Sequence, residues 1–359
     1  MHSVSYNSIR KIEMIDDKKE SILEFIKENP SLSSKEINDG IKLKIGYATV
    51  KRILTKLITE NLIMPVGEGR ARRYVISPMY KLFYPIDIKS YFEKEIDERE
   101  INERFNFSLI RETLQKAELF TEDELENLNS LQKKFKNNIL ELTEAEYEKE
   151  LERLAIDLSW KSSQIEGNTY SLLETERLLK EKETAEGKTK DDATMLLNHK
   201  ETIDFVIENS DYLKELTISK IEDIHSILVK DLGVERNIRR RKVGITGTNY
   251  KPLDNEYQIK EALELMCELI NSRENVFEKG LLALVLVSYI QPFSDGNKRT
   301  ARIISNAILM SSEYCPISFR TIDSVEYKKA MLVFYEQNNI TVIKDVFISQ
   351  FEFAVRTYF

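Results

Sequence analysis

Twelve consecutive residues hold most of the side chains equipped for chemistry: Gln291-Pro292-Phe293-Ser294-Asp295-Gly296-Asn297-Lys298-Arg299-Thr300-Ala301-Arg302. The apolar run over residues 277–290 leads into this segment, and a second helical pattern, ARIISNAILMSS, begins inside it. The segment is therefore a loop between two buried helices that feeds a helix N-terminus. Free N–H groups and the positive end of the dipole attract anions there. Gly296 and Asn297 tolerate left-handed backbone, which aims successive N–H groups at one point. Asp295 supplies a hard oxygen ligand of the kind magnesium uses when it accompanies phosphates. Arg299 and Arg302 are three residues apart, so they share a helix face. With Lys298 beside them, the set suits a polyphosphate.

A second charged residue stands where a helix disfavours it. Residues 144–165 place Tyr147, Leu151, Leu154, Leu158 and Ile165 on one stripe, and the pattern runs into Ser162-Ser163-Gln164-Ile165-Glu166-Gly167-Asn168. Gly167 is a helix stop. Glu166 then sits at the negative end of the helix dipole, which implies a basic partner.

The elements that position these groups are mainly helical. Only 11 glycines and 7 prolines occur in 359 residues, with 42% hydrophobic and 32% charged residues, the profile of a soluble, helix-rich globular chain of two or three domains. Cys267 and Cys315 are the only cysteines, which excludes a disulfide framework and a cysteine-based zinc cluster. His2, His199 and His225 lack metal-ligand spacing. The most apolar run, residues 280–290, is shorter than the ~20 residues a membrane helix needs. The N-terminus has no apolar signal region, so the expected location is the cytoplasm, with no membrane partner.

Charge is unevenly spread. Between Lys42 and Arg73 eight basic residues face two acids, a net +6 inside a chain of net −8. Helices are expected at 17–28, at about 34–40 after a Ser33/Glu36 capping box, and from Tyr47 onward. The third buries Val50, Ile53, Leu54, Leu57 and Ile58 on one face and presents Tyr47, Lys51, Arg52 and Lys56 on the other. Residues 62–76 read as two strands around Gly67-Glu68-Gly69, loaded with Arg70, Arg72 and Arg73. Three helices and a basic hairpin resemble a winged helix-turn-helix over residues 1–80. That implies a third helix in the major groove of DNA and a wing on its phosphates. A winged helix that binds protein is the alternative. Residues 81–143 read as a helical connecting region, with helices at 88–104, 107–117 and 122–141.

The loop, the Glu166 segment and residues 243–252 (VGITGTNYKP) together resemble the Fic family, whose signature is His-x-Phe-x-Asp/Glu-Gly-Asn-Gly/Lys-Arg-x-x-Arg. Phe293, Asp295, Gly296, Asn297, Lys298, Arg299 and Arg302 match it, and the resemblance covers roughly 145–350. It implies a mostly α fold: a Fic bundle over 144–359 opened by an inhibitory helix at 144–167, with a small β-hairpin flap. It also implies AMP transfer from ATP, with magnesium, to a tyrosine, serine or threonine hydroxyl of a target protein or of the chain itself. A homodimer is compatible with this reading. By the resemblance, Asp295 holds magnesium and Gly296 and Asn297 cradle the α-phosphate. Arg299 and Arg302 bind the β- and γ-phosphates. Ser162, Glu166 and Gly167 form the inhibitory motif, with Glu166 on Arg302. Ile245, Thr246, Gly247, Thr248 and Tyr250 form a flap that takes the target as an added strand.

One position departs from the signature. The family's general-base histidine is Gln291, whose amide has no useful basicity. Loss of a general base costs ~10²–10⁴-fold in rate and leaves binding groups in place. The sequence thus supports two readings. One is an impaired, autoinhibited adenylyltransferase coupled to DNA binding, and the other is a non-catalytic ATP-responsive DNA-binding regulator.

Overall fold

The structure, a computed structural model, describes residues 17–359. Residues 1–16, the start of the expected DNA-binding domain with His2, lie outside the described residues.

Helix α1 (Asp17–Glu28) buries Ile22, Leu23 and Ile26, and α3 (Tyr47–Thr59) buries Val50, Ile53, Leu54 and Leu57. Ile58, expected on the same buried face, is only half-buried. Between them α2 (Ser34–Gly40) opens with the expected capping box, Ser33 Oγ accepting from the Glu36 N–H and the Glu36 carboxylate accepting from the Ser33 N–H. Strands β1 (Ile63–Val66) and β2 (Arg73–Ile76) pair antiparallel, with Ile63 opposite Ile76. Gly67 turns the chain at φ 78°, and a Cβ there would come within 2.9 Å of the Ala71 carbonyl oxygen, so the tip needs glycine.

Helices α4 (Pro78–Phe83) and α5 (Ile88–Glu93) follow. The helix expected over 88–104 stops at Glu93. A single 3₁₀ turn, Ile96–Glu98, remains before the chain meets distant partners: Arg99 pairs with Glu336, and the Asn102 N–H donates to the Glu336 carbonyl at 2.8 Å. Tertiary contacts override local helix propensity there. A π-helical turn, Leu109–Thr113, precedes α6 (Glu122–Glu141) and α7 (Glu144–Ile165), both opened by the expected capping boxes at Thr121/Glu124 and Thr143/Glu146.

The remaining helices are α8 (Leu172–Glu181), α9 (Lys190–Glu208), α10 (Ile218–Leu228), α11 (Glu256–Ser272), α12 (Val276–Ile290), α13 (Asn297–Ser311), α14 (Ser324–Gln337) and α15 (Thr341–Thr357). Helix α12 is buried from Phe277 to Ile290 apart from Lys279. A helix apolar on all sides belongs at the centre of a bundle. It packs on α11, α13 and α14, and each buried Leu, Ile or Val contributes on the order of 2 kcal/mol of transfer free energy. The turn between α14 and α15 grips α4: the Ile340 N–H donates to the Leu82 carbonyl, and the Asn339 side-chain amide donates to the Lys81 and Tyr84 carbonyls.

The fold is mostly helical with one small antiparallel sheet among the described residues, β1–β2. The hairpin expected at 243–252 does not form. That stretch is extended with a turn at Thr246–Gly247, and its one bridge is a parallel one, between Lys251 and Arg104. Its backbone is bonded to residues 99–104 instead of to its own second arm. No helix of the described residues is long and apolar enough to cross a membrane.

Candidate functional site

The α12–α13 loop is shaped by two left-handed residues. Gln291 closes α12 at φ 52°, and Gly296 opens α13 at φ 81°. Gly296 has a second constraint, since a Cβ there would approach Val229 to 3.2 Å. Asn297, expected to cradle phosphate, turns its side chain inward. Its Oδ1 accepts from the Phe293 N–H at 2.8 Å, and its Nδ2 donates to the Phe293 carbonyl at 2.9 Å and to Gln291 Oε1 at 3.0 Å. Gln291 Nε2 donates to the Ser288 carbonyl at 2.7 Å. Both amides are thus spent on holding the loop, and only the Asn297 backbone remains for an anion.

Phe293 is fully buried and stacks flat on His225, centroids 3.6 Å apart. His225 places Nε2 2.9 Å from the Asp295 carbonyl oxygen and Nδ1 3.1 Å from that of Arg236. Burial pushes its pKa down, and the ring faces carbonyls behind the loop, so it cannot stand in for the missing base. His199 is fully buried, and burial followed by the Arg302 and Arg299 charges holds it well below the usual range, hence neutral. The sequence carries no signal for either placement, because Phe293 and Asp295 beside His225, and Arg299 and Arg302 near His199, lie some seventy to one hundred positions away.

Glu166, the residue capping α7, meets two cations. Arg302 donates to Oε1 at 2.9 Å, and Lys298 reaches Oε2 at 3.1 Å. Arg302 also donates through Nε to Ser162 Oγ at 2.8 Å and through Nη2 to the Ser162 carbonyl at 2.9 Å, and its guanidinium lies 5.2 Å from the Tyr327 ring centroid. Burial favours the neutral acid, but Arg302 and then Lys298 outweigh it and pull the Glu166 pKa down to about 2. Gly167 ends the helix at φ 103°. Arg299 is buried and pairs with the Asp295 carboxylate at 3.3 Å, while Asp295 itself is largely exposed.

A cavity of about 420 Å³ opens over this loop. Gln291, Asp295, Gly296, Asn297, Lys298, Glu166, Tyr335, Ile245 and Thr246 are among its walls. Arg299 and Arg302 do not line it: they are buried behind the loop, and Lys298 and Lys328 are the cations in its walls. Two of the expected flap residues, Ile245 and Thr246, reach it. Gly247 and Thr248 lie beyond it. Tyr250 is a core residue: its hydroxyl donates to the Tyr289 carbonyl at 2.9 Å, and its ring stacks on Tyr289 and Tyr335. No group of three or more potential metal-ligating His, Cys, Asp or Glu side chains occurs among the described residues.

A separate basic surface lies on α3 and the β1–β2 hairpin. Tyr47, Lys51, Arg52, Lys56, Arg70 and Arg72 are exposed, with the Lys51 ammonium 4.7 Å from the Tyr47 ring centroid. Among the described residues these five cations make no ion pair, whereas Arg73 pairs with Glu36.

Residues 215–309 match the model of the Fic/DOC family, so the chain carries a Fic/DOC domain. Protein adenylyltransferase Fic of Nematostella vectensis is 28% identical over 173 residues, 46% of this chain and 40% of that protein. Protein adenylyltransferase fic-1 of Caenorhabditis elegans is 25% identical over 177 residues, 47% of this chain and 34% of that protein. The chain thus spans less than half the length of these curated relatives. Among solved structures, a Fic-1 fragment from C. elegans gives a TM-score of 0.57 at 21% identity, over 66% of this chain and 72% of that one. A Fic-domain signaling protein from Bacteroides thetaiotaomicron gives 0.54 at 20%, over 65% and 95%. At these identities the structures establish a common fold.

Proposed function

We propose that the cavity binds ATP and that the chain is a Fic-type protein adenylyltransferase held off at two points, by Glu166 and by Gln291. The observation that carries this reading is the Glu166 carboxylate bridging Arg302 and Lys298 at the anion-binding end of α13. Two adenylyltransferases that resemble the chain point the same way. In the reaction, the target hydroxyl oxygen would attack the α-phosphorus, the bond from that phosphorus to the bridging oxygen would break, and pyrophosphate would leave. The hydroxyl proton must pass to a base at position 291. Gln291 cannot take it.

Lys298 and the N–H groups opening α13 would hold the phosphates and stabilise charge on the leaving pyrophosphate. Arg302 would serve the γ-phosphate once Glu166 moves away, and Arg299 would stay behind the loop as a fixed positive charge. Asp295 is exposed and projects at the cavity wall, and one carboxylate plus phosphate oxygens and water suits magnesium. Bound there, magnesium would supply charge neutralisation on the phosphates.

The exposed cations of α3 and the hairpin support duplex DNA binding by the N-terminal part, through base contacts from α3 and phosphate contacts from the hairpin. The locked Gln291 amide favours a second reading, a non-catalytic regulator in which ATP only biases the fold. Labelled ATP separates the two. Transfer by the Glu166→Gly/Gln291→His chain supports the enzyme, and ATP binding without transfer by that chain supports the regulator.

A further inference from the structure

We propose that residues 95–104 form a strap that fixes one side of the flap, with Arg99 as its anchor and a positioning residue for target binding. The inference rests on the reading of residues 243–252 as the segment that holds a target chain. Arg99 is buried, donates to the Gly247 carbonyl at 2.7 Å and lies 3.3 Å from the fully buried Glu336 carboxylate. Glu336 is held from its other side by the Tyr91 hydroxyl, which donates at 2.6 Å. The Arg99 guanidinium also stacks over Phe92, 5.1 Å from the ring centroid. Further along, Asn249 donates to Asp97 at 2.9 Å, the Lys251 N–H donates to the Glu103 carbonyl at 2.8 Å, and the Lys251 ammonium meets the Glu103 carboxylate at 3.0 Å.

The strap therefore takes the place on residues 247–251 that an added strand would occupy. The other half of the flap differs. Among the described residues no hydrogen bond joins the backbone of 243–246, and these four residues line the cavity. An incoming chain can add its backbone only there, beside Gln291. Side chains alternate along an added strand, so one fixed register decides whether a hydroxyl points toward the nucleotide. Arg99 sets that register by holding Gly247, one residue past the free stretch.

Hydrogen exchange on the full chain tests the strap without relying on catalysis. Arg99→Lys keeps a positive charge against Glu336 but loses the forked reach to Gly247. Asp97→Ala with Glu103→Ala loosens the exposed part and touches no buried group. Both should raise exchange of the Lys251 amide, which donates to the Glu103 carbonyl, by about tenfold or more while α13 exchanges as in the wild type. In the Glu166→Gly/Gln291→His background, both should slow self-labelling by roughly tenfold and leave ATP affinity within about twofold, since the nucleotide contacts are untouched. Flap exchange equal to wild type in both variants overturns the strap. If that background shows no transfer, the adenylyltransferase reading fails, and the exchange result alone decides the strap.

Discussion

Replacing Glu166 with glutamine keeps a hydrogen-bonding group against Arg302 and removes the charge. Burial raises the Glu166 pKa, and Arg302 and then Lys298 more than offset it, so that the net fall is from 4.5 to about 2. At about 1.4 kcal/mol per pKa unit this is on the order of 3 kcal/mol. ATP must displace that carboxylate to place its terminal phosphate on Arg302 and Lys298. Glu166 retains 19% side-chain exposure, so solvent screens part of the attraction. Glu166→Gln should therefore tighten ATP–magnesium binding by roughly 10- to 100-fold. AMP lacks the phosphates that compete with Glu166, so its affinity should change by less than about threefold. Arg302 keeps its two contacts to Ser162, so its buried charge is not left bare. Isothermal calorimetry with ATP and AMP, each with magnesium, reads both affinities. Equal gains for ATP and AMP, or no gain for ATP, would refute the claim that Glu166 competes with the γ-phosphate.

Glu166→Gly with Gln291→His should restore self-modification with labelled ATP, while each single change gives at most a few per cent of the double variant, because one frees the phosphate site and the other supplies the base. The depressed Glu166 pKa stabilises the fold above about pH 4.5, and that contribution is lost as pH falls from about 4.5 toward 2; urea titrations at pH 6 and pH 3 should show the wild type losing more stability than Glu166→Gln. For the same reason the ATP block should stay unchanged between pH 6 and pH 8, as read by calorimetry. Changing Lys51, Arg52 and Arg72 to alanine in the full chain should remove most DNA binding and flatten the salt dependence from a log–log slope of roughly −4 toward −1, measured by fluorescence anisotropy on duplexes of mixed sequence.

What the sequence disclosed was set by short-range physics. The capping boxes at Ser33, Thr121 and Thr143 need three residues of chain, and each forms as read. The loop was legible because Gly296 and the start of α13 are neighbours. The need for a cation beside Glu166 followed from the dipole of its own helix, although Lys298 as a second partner did not. Long-range closure hid the rest. Residues 94–104 carry a helical composition, yet Arg99 and Asn102 are drawn to Glu336, more than two hundred positions away, and the helix breaks. Tyr250 sits in a polar stretch, and only the stacked rings of Tyr289 and Tyr335 reveal it as core. The Asn297 side chain clamps Phe293, a contact that the sequence did not disclose, and its backbone N–H is left at the start of α13.

The Gln291 amide holds the shape of the loop without a titrating group. A residue at the C-cap of α12 must satisfy the last turn of that helix and tie the loop to α13. Gln291 does both, donating to the Ser288 carbonyl and accepting from Asn297. The loop geometry that presents the α13 N–H groups therefore does not depend on a titrating group at this position. On the proposed reading nucleotide binding and proton transfer would rest on separate contacts, so Gln291→His would alter the second without rebuilding the first. Glu166 acts on the first alone, through Arg302 and Lys298. That division is why the two substitutions should be nearly additive in ATP affinity, while appreciable transfer needs both. If Gln291→His instead changed ATP affinity as much as Glu166→Gln does, the amide would belong to the phosphate site and the two functions would not be separable.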